Sequence, residues 1–173
     1  LFDFRPDLKT AAMLLRLKER NAHTIFGAIG DELAKGGVTL IDALPWLGQA
    51  MPGGDFHLGP KLSRQQQNDI AFGCRLAKEV SRLEIGQSIV VKEGTVLAVE
   101  GFEGTDACLR RGGELAGPKG GAVAVKVARK NHDMRFDIPC IGRRSLESCA
   151  ASAIAVLAVE SSKTILLERE EVE

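Results

Sequence analysis

Ser88-Ile89-Val90-Val91-Lys92, then Glu93-Gly94, then Thr95-Val96-Leu97-Ala98-Val99-Glu100 is the stretch that decides the fold of this chain. Two runs rich in β-branched residues flank a Glu-Gly turn, the pattern of a β-hairpin. The second run ends on Glu100, and Glu103-Gly104-Thr105-Asp106 follows directly. Glu100, Glu103 and Asp106 are thereby delivered to one strand end and the turn after it. Gly104 lets the backbone bend, and Thr105 or Asp106 can cap a helix that begins there. Acids gathered in this way repel one another unless a cation or hydrogen-bond donors offset their charge. Metal-assisted enzymes use such clusters.

Working back from the hairpin, Ser63 offers an N-cap for a helix through Leu83, with Ile70, Cys74, Ala77 and Val80 on one stripe. Working forward, a helix is expected from Thr105 to Leu115, ended by Gly117-Pro118. Ala122 to Ala128 reads as a buried strand: Val123, Val125 and Val127 share one face, and Ala122, Ala124, Lys126 and Ala128 the other. Lys126 is a charge among alanines. It either snorkels out at a sheet edge or is a cation held in a site and aimed at an anion. In Asp133-Met134-Arg135-Phe136-Asp137 the polar residues alternate with apolar ones. That is either an exposed edge strand with a surface ion pair or a polar face completing an active site. Leu146 to Leu157 reads as an alanine-rich helix. Ala158-Val159-Glu160 and Thr164-Ile165-Leu166-Leu167 read as closing strands around a Ser161-Ser162-Lys163 turn.

The front of the chain reads differently. Asp7 to Arg20 places Leu8, Ala11, Ala12 and Leu15 at helical spacing, with Pro6 at its start. A second helix is expected over Thr24 to Lys35, closed by Gly36-Gly37, and a short strand over Val38 to Asp42. This set is too small to bury its own faces. With Leu1 in place of an initiator methionine, it reads as the tail of an α/β domain in a fragment of a longer protein. Gly48 to Pro60 is rich in glycine and proline and reads as a linker. The expected fold class is α/β. A mixed sheet with flanking helices forms a C-terminal domain over residues 62–173, preceded by a partial N-terminal α/β domain over 1–50 and a linker over 51–61.

Composition narrows the function. The chain has 173 residues, enough for one sizeable core. Lys+Arg and Asp+Glu number 23 each, so the net charge is zero and bulk attraction to nucleic acid is not expected. No apolar run is long enough to span a membrane; Cys149 to Val159 has the length of a core helix plus a strand. The N-terminus lacks the layout of a signal peptide. Cys74, Cys108, Cys140 and Cys149 form no CxxC pair and read as reduced, buried thiols of a cytoplasmic protein. A cysteine paired with His132 is the weaker catalytic reading. His23 and His57 read as structural.

Acids at Glu100, Glu103, Asp106, Asp133 and Asp137, with Lys126, Arg110 and Arg135 for local positive charge, suit metal-assisted attack of water on a phosphate or pyrophosphate. Glycoside hydrolysis by two carboxylates uses similar residues and stays open, as does a non-catalytic binding module with solvated acids.

The run Ile85 to Asp106 resembles the C-terminal domain of LpxI-type UDP-2,3-diacylglucosamine pyrophosphatases. So do Val125-Lys126-Val127-Ala128 followed by Asp133 to Gly142, and the closing Leu157-Ala158-Val159-Glu160 and Ile165-Leu166-Leu167. The resemblance spans about Leu62 to Glu168 and is weaker over residues 1–50. It implies hydrolysis of UDP-2,3-diacylglucosamine to UMP and 2,3-diacylglucosamine 1-phosphate for lipid A synthesis. It implies a cytoplasmic enzyme acting at the inner membrane with a divalent cation, Mg²⁺ or Mn²⁺, and a lipid-linked UDP-sugar held between two domains. Asp106 stands first among the candidates. With it, Glu103, Thr105, Lys126, Arg135 and Asp137 make up the expected catalytic set. Gln87, Arg110 and Asp133 are expected on phosphate or substrate, and Asp106, Glu100 and Glu103 on the metal. A homo-oligomer is compatible with the sequence, and no nucleic-acid partner is expected. The chain departs from the family pattern at Arg129-Lys130-Asn131-His132, where a Lys-Pro turn is expected, and at Gly101, where alanine is expected. The front of the N-terminal domain, and with it half the substrate cleft, is expected to be missing.

Overall fold

The hairpin forms as its sequence predicts, with β1 (Ser88–Lys92) and β2 (Thr95–Val99) antiparallel. Its two turn residues, Glu93 and Gly94, both take positive φ, 50° and 73°. That is the requirement of the turn type whose twist matches paired strands. The computed structural model describes residues 7–19, 22–129, 135, 136 and 138–172, apart from the side chains of 22, 23, 44 and 49. The chain divides into two compact units, Leu1–Ala43 with Asp133–Asp137, and Leu44–His132 with Ile138–Glu173.

The second unit is built on a mixed four-stranded sheet in the order β2-β1-β3-β5. β3 (Ala122–Lys126) runs antiparallel to β1, and β5 (Ile154–Val159) runs parallel to β3. Alternation divides the core in two. Ile89, Val91, Val123, Val125 and Val127 pack with Ala77 of helix α4 (Arg64–Arg82), as the face assignment from sequence requires. Val90, Ala98, Ala122 and Ala124 pack on the other face with Cys108 and Leu109 of α5 (Thr105–Ala116) and Cys149 of α6 (Arg143–Ala151).

Helices approach this sheet on small residues. A Cβ at Gly73 of α4 would lie 2.7 Å from Val125 Cγ2, and one at Gly112 of α5 would lie 2.6 Å from Val90 Cβ. A Cβ at Gly113 would lie 1.9 Å from the carbonyl oxygen of Ser152, just past α6. The stripe expected on α4 is therefore borne out at Ala77 but flanked by smaller or polar neighbours of the other expected residues. Its fully buried line is Asp69, Gly73, Ala77 and Ser81, with Ile70 and Cys74 only partly covered. Close approach selects the smallest side chains, where hydrophobicity alone points to the larger ones.

Asp69 has a specific task in that line. Its Oδ2 accepts from Glu93 N at 2.9 Å and its Oδ1 from Gly94 N at 2.8 Å, so α4 holds the tip of the hairpin. Ser63 and Gln66 close the start of α4 as a reciprocal capping box. Asp69→Ala is expected to destabilise the protein by about 2 to 3 kcal/mol, because two charge-assisted bonds to turn amides are lost at a buried position. Asp69→Asn should cost less. Chemical denaturation midpoints of both variants check this.

Several sequence expectations are corrected. No strand forms over Val38–Asp42, where Val38 and Ile41 are exposed and have no strand to pair with among the described residues. The helix expected from Leu146 to Leu157 starts earlier, at Arg143, and stops at Ala151; Ala153 takes φ 52° and the chain continues as β5. Pairing with β3 overrides the helical preference of an alanine-rich run. The two closing strands do not pair with each other. β5 lies on β3, while β6 (Ile165–Leu166) pairs in parallel with β4 (Cys140–Ile141). The linker stretch is not wholly irregular: α3 (Leu44–Leu47) leads into a 3₁₀ turn over Gly48–Ala50. A short helix, α7 (Arg169–Val172), closes the described residues.

The first unit holds α1 (Leu8–Arg16) and α2 (Ala22–Lys35). Asp7 caps α1 through Thr10 N at 2.7 Å; Pro6, expected at its start, lies outside the described residues. α1 ends at Arg16, short of the expected Arg20, because Leu17 is extended. Phe26 stacks on Phe136 with centroids 5.4 Å apart. Arg135 and Phe136, the described part of the alternating segment, lie in a turn, so the extended reading does not hold for them.

Candidate active site

α5 begins at Thr105 because Gly104, at φ 83° and ψ 170°, breaks the strand direction. Gly104 is itself the N-cap, and no side chain caps the helix. The expectation that Thr105 or Asp106 would cap it is corrected: both lie inside the first turn, and their side chains are engaged elsewhere. α6 starts in the same manner, with Gly142 at its N-cap and no side-chain cap.

Asp106 bridges these two helix starts. Its Oδ1 accepts from Ser148 Oγ of α6 at 3.1 Å, and its Oδ2 lies 3.7 Å from Arg144 Nε. It lines a pocket of about 400 Å³ with Cys140, Gly142, Arg143, Arg144 and Glu168. Arg143 bonds Glu147 at 2.9 Å and Glu171 at 3.2 Å across the rim. Two arginines in the first turn of α6 run against its dipole, which favours anions at that end. An anion in the pocket would meet two guanidinium groups and a helix N-terminus, with the carboxylate of Asp106 alongside.

Thr105 joins this pocket to the sheet. Its Oγ1 donates to Glu100 Oε1 at 2.8 Å and accepts from Lys126 Nζ at 3.3 Å. Lys126 also donates to the carbonyl of Cys140 at 3.3 Å, on the pocket wall. Lys126 is not at a sheet edge, since β3 lies between β1 and β5; its described partners are a hydroxyl and a carbonyl rather than an anion. Gln87 N donates to Glu100 Oε2 at 3.3 Å, and Gln87 Oε1 is buried with no partner among the described residues.

The three acids do not converge. Glu100 is turned inward and only 7% exposed. Glu103 is paired with Arg111 and accepts from Gly101 N at 3.0 Å; its own backbone amide and Arg111 hold its carboxyl below the usual carboxylate range. Asp106 alone faces the pocket. Among the described residues, no three His, Cys, Asp or Glu side chains form a metal-ligand group. The expected ligand set Asp106, Glu100 and Glu103 is thus not gathered into one group among the described residues: Glu100 accepts from Thr105 and Gln87, and Glu103 from Arg111 and Gly101.

Arg110 is exposed one turn beyond Asp106 on α5. Arg135 belongs to the other unit. Asp133, Asp137 and His132 lie outside the described residues. The four cysteines are free thiols. Burial pushes Cys108 up to about 12, and burial with the nearby Asp106 charge pushes Cys149 up to about 11, so neither is an activated nucleophile. Sequence reasoning missed Arg143, Arg144 and Ser148. Their signal was Gly142 followed by two arginines, visible only once α6 is known to start there.

Residues 55–173 match the family model of the LpxI C-terminal domain. The chain is 32% identical over 174 residues to the UDP-2,3-diacylglucosamine pyrophosphatase LpxI of Caulobacter vibrioides, covering 95% of this chain and 61% of that protein. It thus spans about three fifths of the length of that relative. With the family model matching well over half of its residues, this chain belongs to the LpxI family.

Proposed function

We propose that the Asp106 pocket hydrolyses the pyrophosphate of UDP-2,3-diacylglucosamine to UMP and 2,3-diacylglucosamine 1-phosphate, in lipid A synthesis. The observation that carries this reading is that the start of α6, which has no side-chain cap and carries Arg143 and Arg144, meets Asp106 from the first turn of α5 in a single pocket. Arg143, Arg144 and the α6 amides would hold phosphate oxygens and offset the charge that builds on them. Asp106 would accept a hydrogen bond from the attacking water and orient it. Lys126 adds positive charge behind the pocket wall.

A divalent cation, Mg²⁺ or Mn²⁺, fits Asp106 as its one protein carboxylate, since Mg²⁺ commonly binds through one or two carboxylates, substrate phosphates and water. When bound, it would neutralise charge on the pyrophosphate. A glycosidase needs two carboxylates flanking one bond; Glu100 and Glu103 are bound to Thr105 and Arg111, and the carboxylates that do line the pocket, Asp106 and Glu168, share it with two arginines, which suit a phosphate better than a neutral sugar. No helix among the described residues is long and apolar enough to cross a membrane. We place the enzyme in the cytoplasm, at the inner face of the inner membrane, where a lipid-linked UDP-sugar would be met.

Incubating the full-length protein with UDP-2,3-diacylglucosamine and Mg²⁺ tests the reading. Release of UMP and the 1-phosphate, abolished by chelation, is the expected result. No release under those conditions would refute it.

A further inference from the structure

We infer that Glu100 is a positioning residue for this reaction, acting through Thr105 to fix the first turn of α5 and so to aim Asp106, rather than a cation ligand. This rests on the function proposed above.

Donor arithmetic sets the direction of every bond in the cluster. Thr105 has one hydroxyl proton, and it is given to Glu100 Oε1 at 2.8 Å. Thr105 Oγ1 must therefore accept from its other neighbours, Lys126 Nζ at 3.3 Å and Ser88 Oγ at 3.4 Å. Glu100 can only accept, and its second oxygen takes the Gln87 amide at 3.3 Å. The bonds run one way, from the Lys126 ammonium through Thr105 to the Glu100 carboxylate. Opposite charges at the two ends stabilise that polarity.

The carboxylate end is anchored to the sheet. Glu100 N donates to Ser88 O at 2.9 Å, and the backbones of residues 86 and 100 lie so close that a Cβ on Gly86 would sit 2.1 Å from Glu100 O. The other end of the link is the first residue of a helix that lacks a side-chain cap. Thr105 is thus the tether of α5 to the sheet at this end, and Asp106 is the next residue. A shift of Thr105 moves Asp106 off Ser148 and out of line with the pocket.

The test uses the full-length enzyme, with UMP release followed at varied substrate and Mg²⁺. Glu100→Gln, whose single amide oxygen cannot accept from both Thr105 Oγ1 and Gln87 N, is expected to lower kcat about 10- to 100-fold with KM unchanged within about twofold, the usual cost of a weakened supporting partner. Thr105→Val should do the same, and the double variant should be no worse than the poorer single one, because both cut one link. Thr105→Ser, which keeps the hydroxyl, should recover most of the Thr105→Val loss. If Glu100→Gln does not fold, Thr105→Val decides by itself. Wild-type kcat in either folded single variant overturns the inference, as do multiplying effects in the double variant. A tenfold or larger rise in the Mg²⁺ needed for half-maximal rate in Glu100→Gln would make Glu100 a cation ligand and overturn it too. A wild-type protein that releases no UMP removes the functional reading and this inference together, whereas an active wild type with an unaffected Glu100→Gln removes this inference alone.

Discussion

Full-length protein carrying Asp106→Asn is expected to fold like its parent and to release UMP on the order of 10³-fold more slowly, a loss of about 4 kcal/mol of transition-state stabilisation. The two effects separate because the side chain has little structural work. Asp106 caps nothing, since Gly104 is the N-cap of α5. An asparagine oxygen can still accept from Ser148 Oγ. The pairing with Arg144 is long, at 3.7 Å, and that arginine is 89% exposed, so losing the charge costs stability only about 0 to 1 kcal/mol. In the pocket, by contrast, Asp106 places a carboxylate beside two arginines. Neutralising it removes both an acceptor that would orient water and a carboxylate that would hold a cation. Thermal melting and UMP release should be measured on the same preparation. A folded Asp106→Asn protein with near-parental turnover would place the chemistry elsewhere.

Gly113→Ala is expected to be among the most damaging single changes to stability, at about 3 kcal/mol. In an open helix the same change gains about 1 kcal/mol, since glycine is a poor helix former. Here the new methyl would sit 1.9 Å from Ser152 O and 2.8 Å from Ser152 C. The obstacle is backbone, so no rotamer change relieves it, and α5 and α6 must separate. Because Asp106 and Ser148 bridge those two helices, activity should fall along with the denaturation midpoint. A midpoint equal to or above the parent's would show that the helices are not packed this closely.

Much of this was legible in the sequence. Glu93-Gly94 between two β-branched runs specifies its hairpin almost locally, and the alternation of Ala122 to Ala128 correctly splits the valine face from the alanine face. Local signals succeed where neighbouring residues decide the outcome. They fail where a distant partner decides. Ile154–Val159 becomes a strand only because β3 lies beside it, so an alanine-rich run reads as helix. The acids at Glu100, Glu103 and Asp106 look like one cluster by spacing. They separate because Thr105, Arg111 and Ser148, each set by tertiary packing, draw them different ways. The arginines of α6 were hidden by the same misplaced helix start.

Gly73 of α4 and Gly112 and Gly113 of α5 differ in how freely sequence could drift around them. At Gly73 the obstruction is a methyl of Val125, so a methyl gained on the helix could be matched by a smaller residue on the strand, and positions 73 and 125 can covary. At Gly112 the obstruction reaches Val90 Cβ itself, at 2.6 Å, so only a glycine at position 90 would make room. At Gly113 it is a carbonyl oxygen, which every residue carries. No partner substitution can compensate there, and drift at that position is closed whatever else changes.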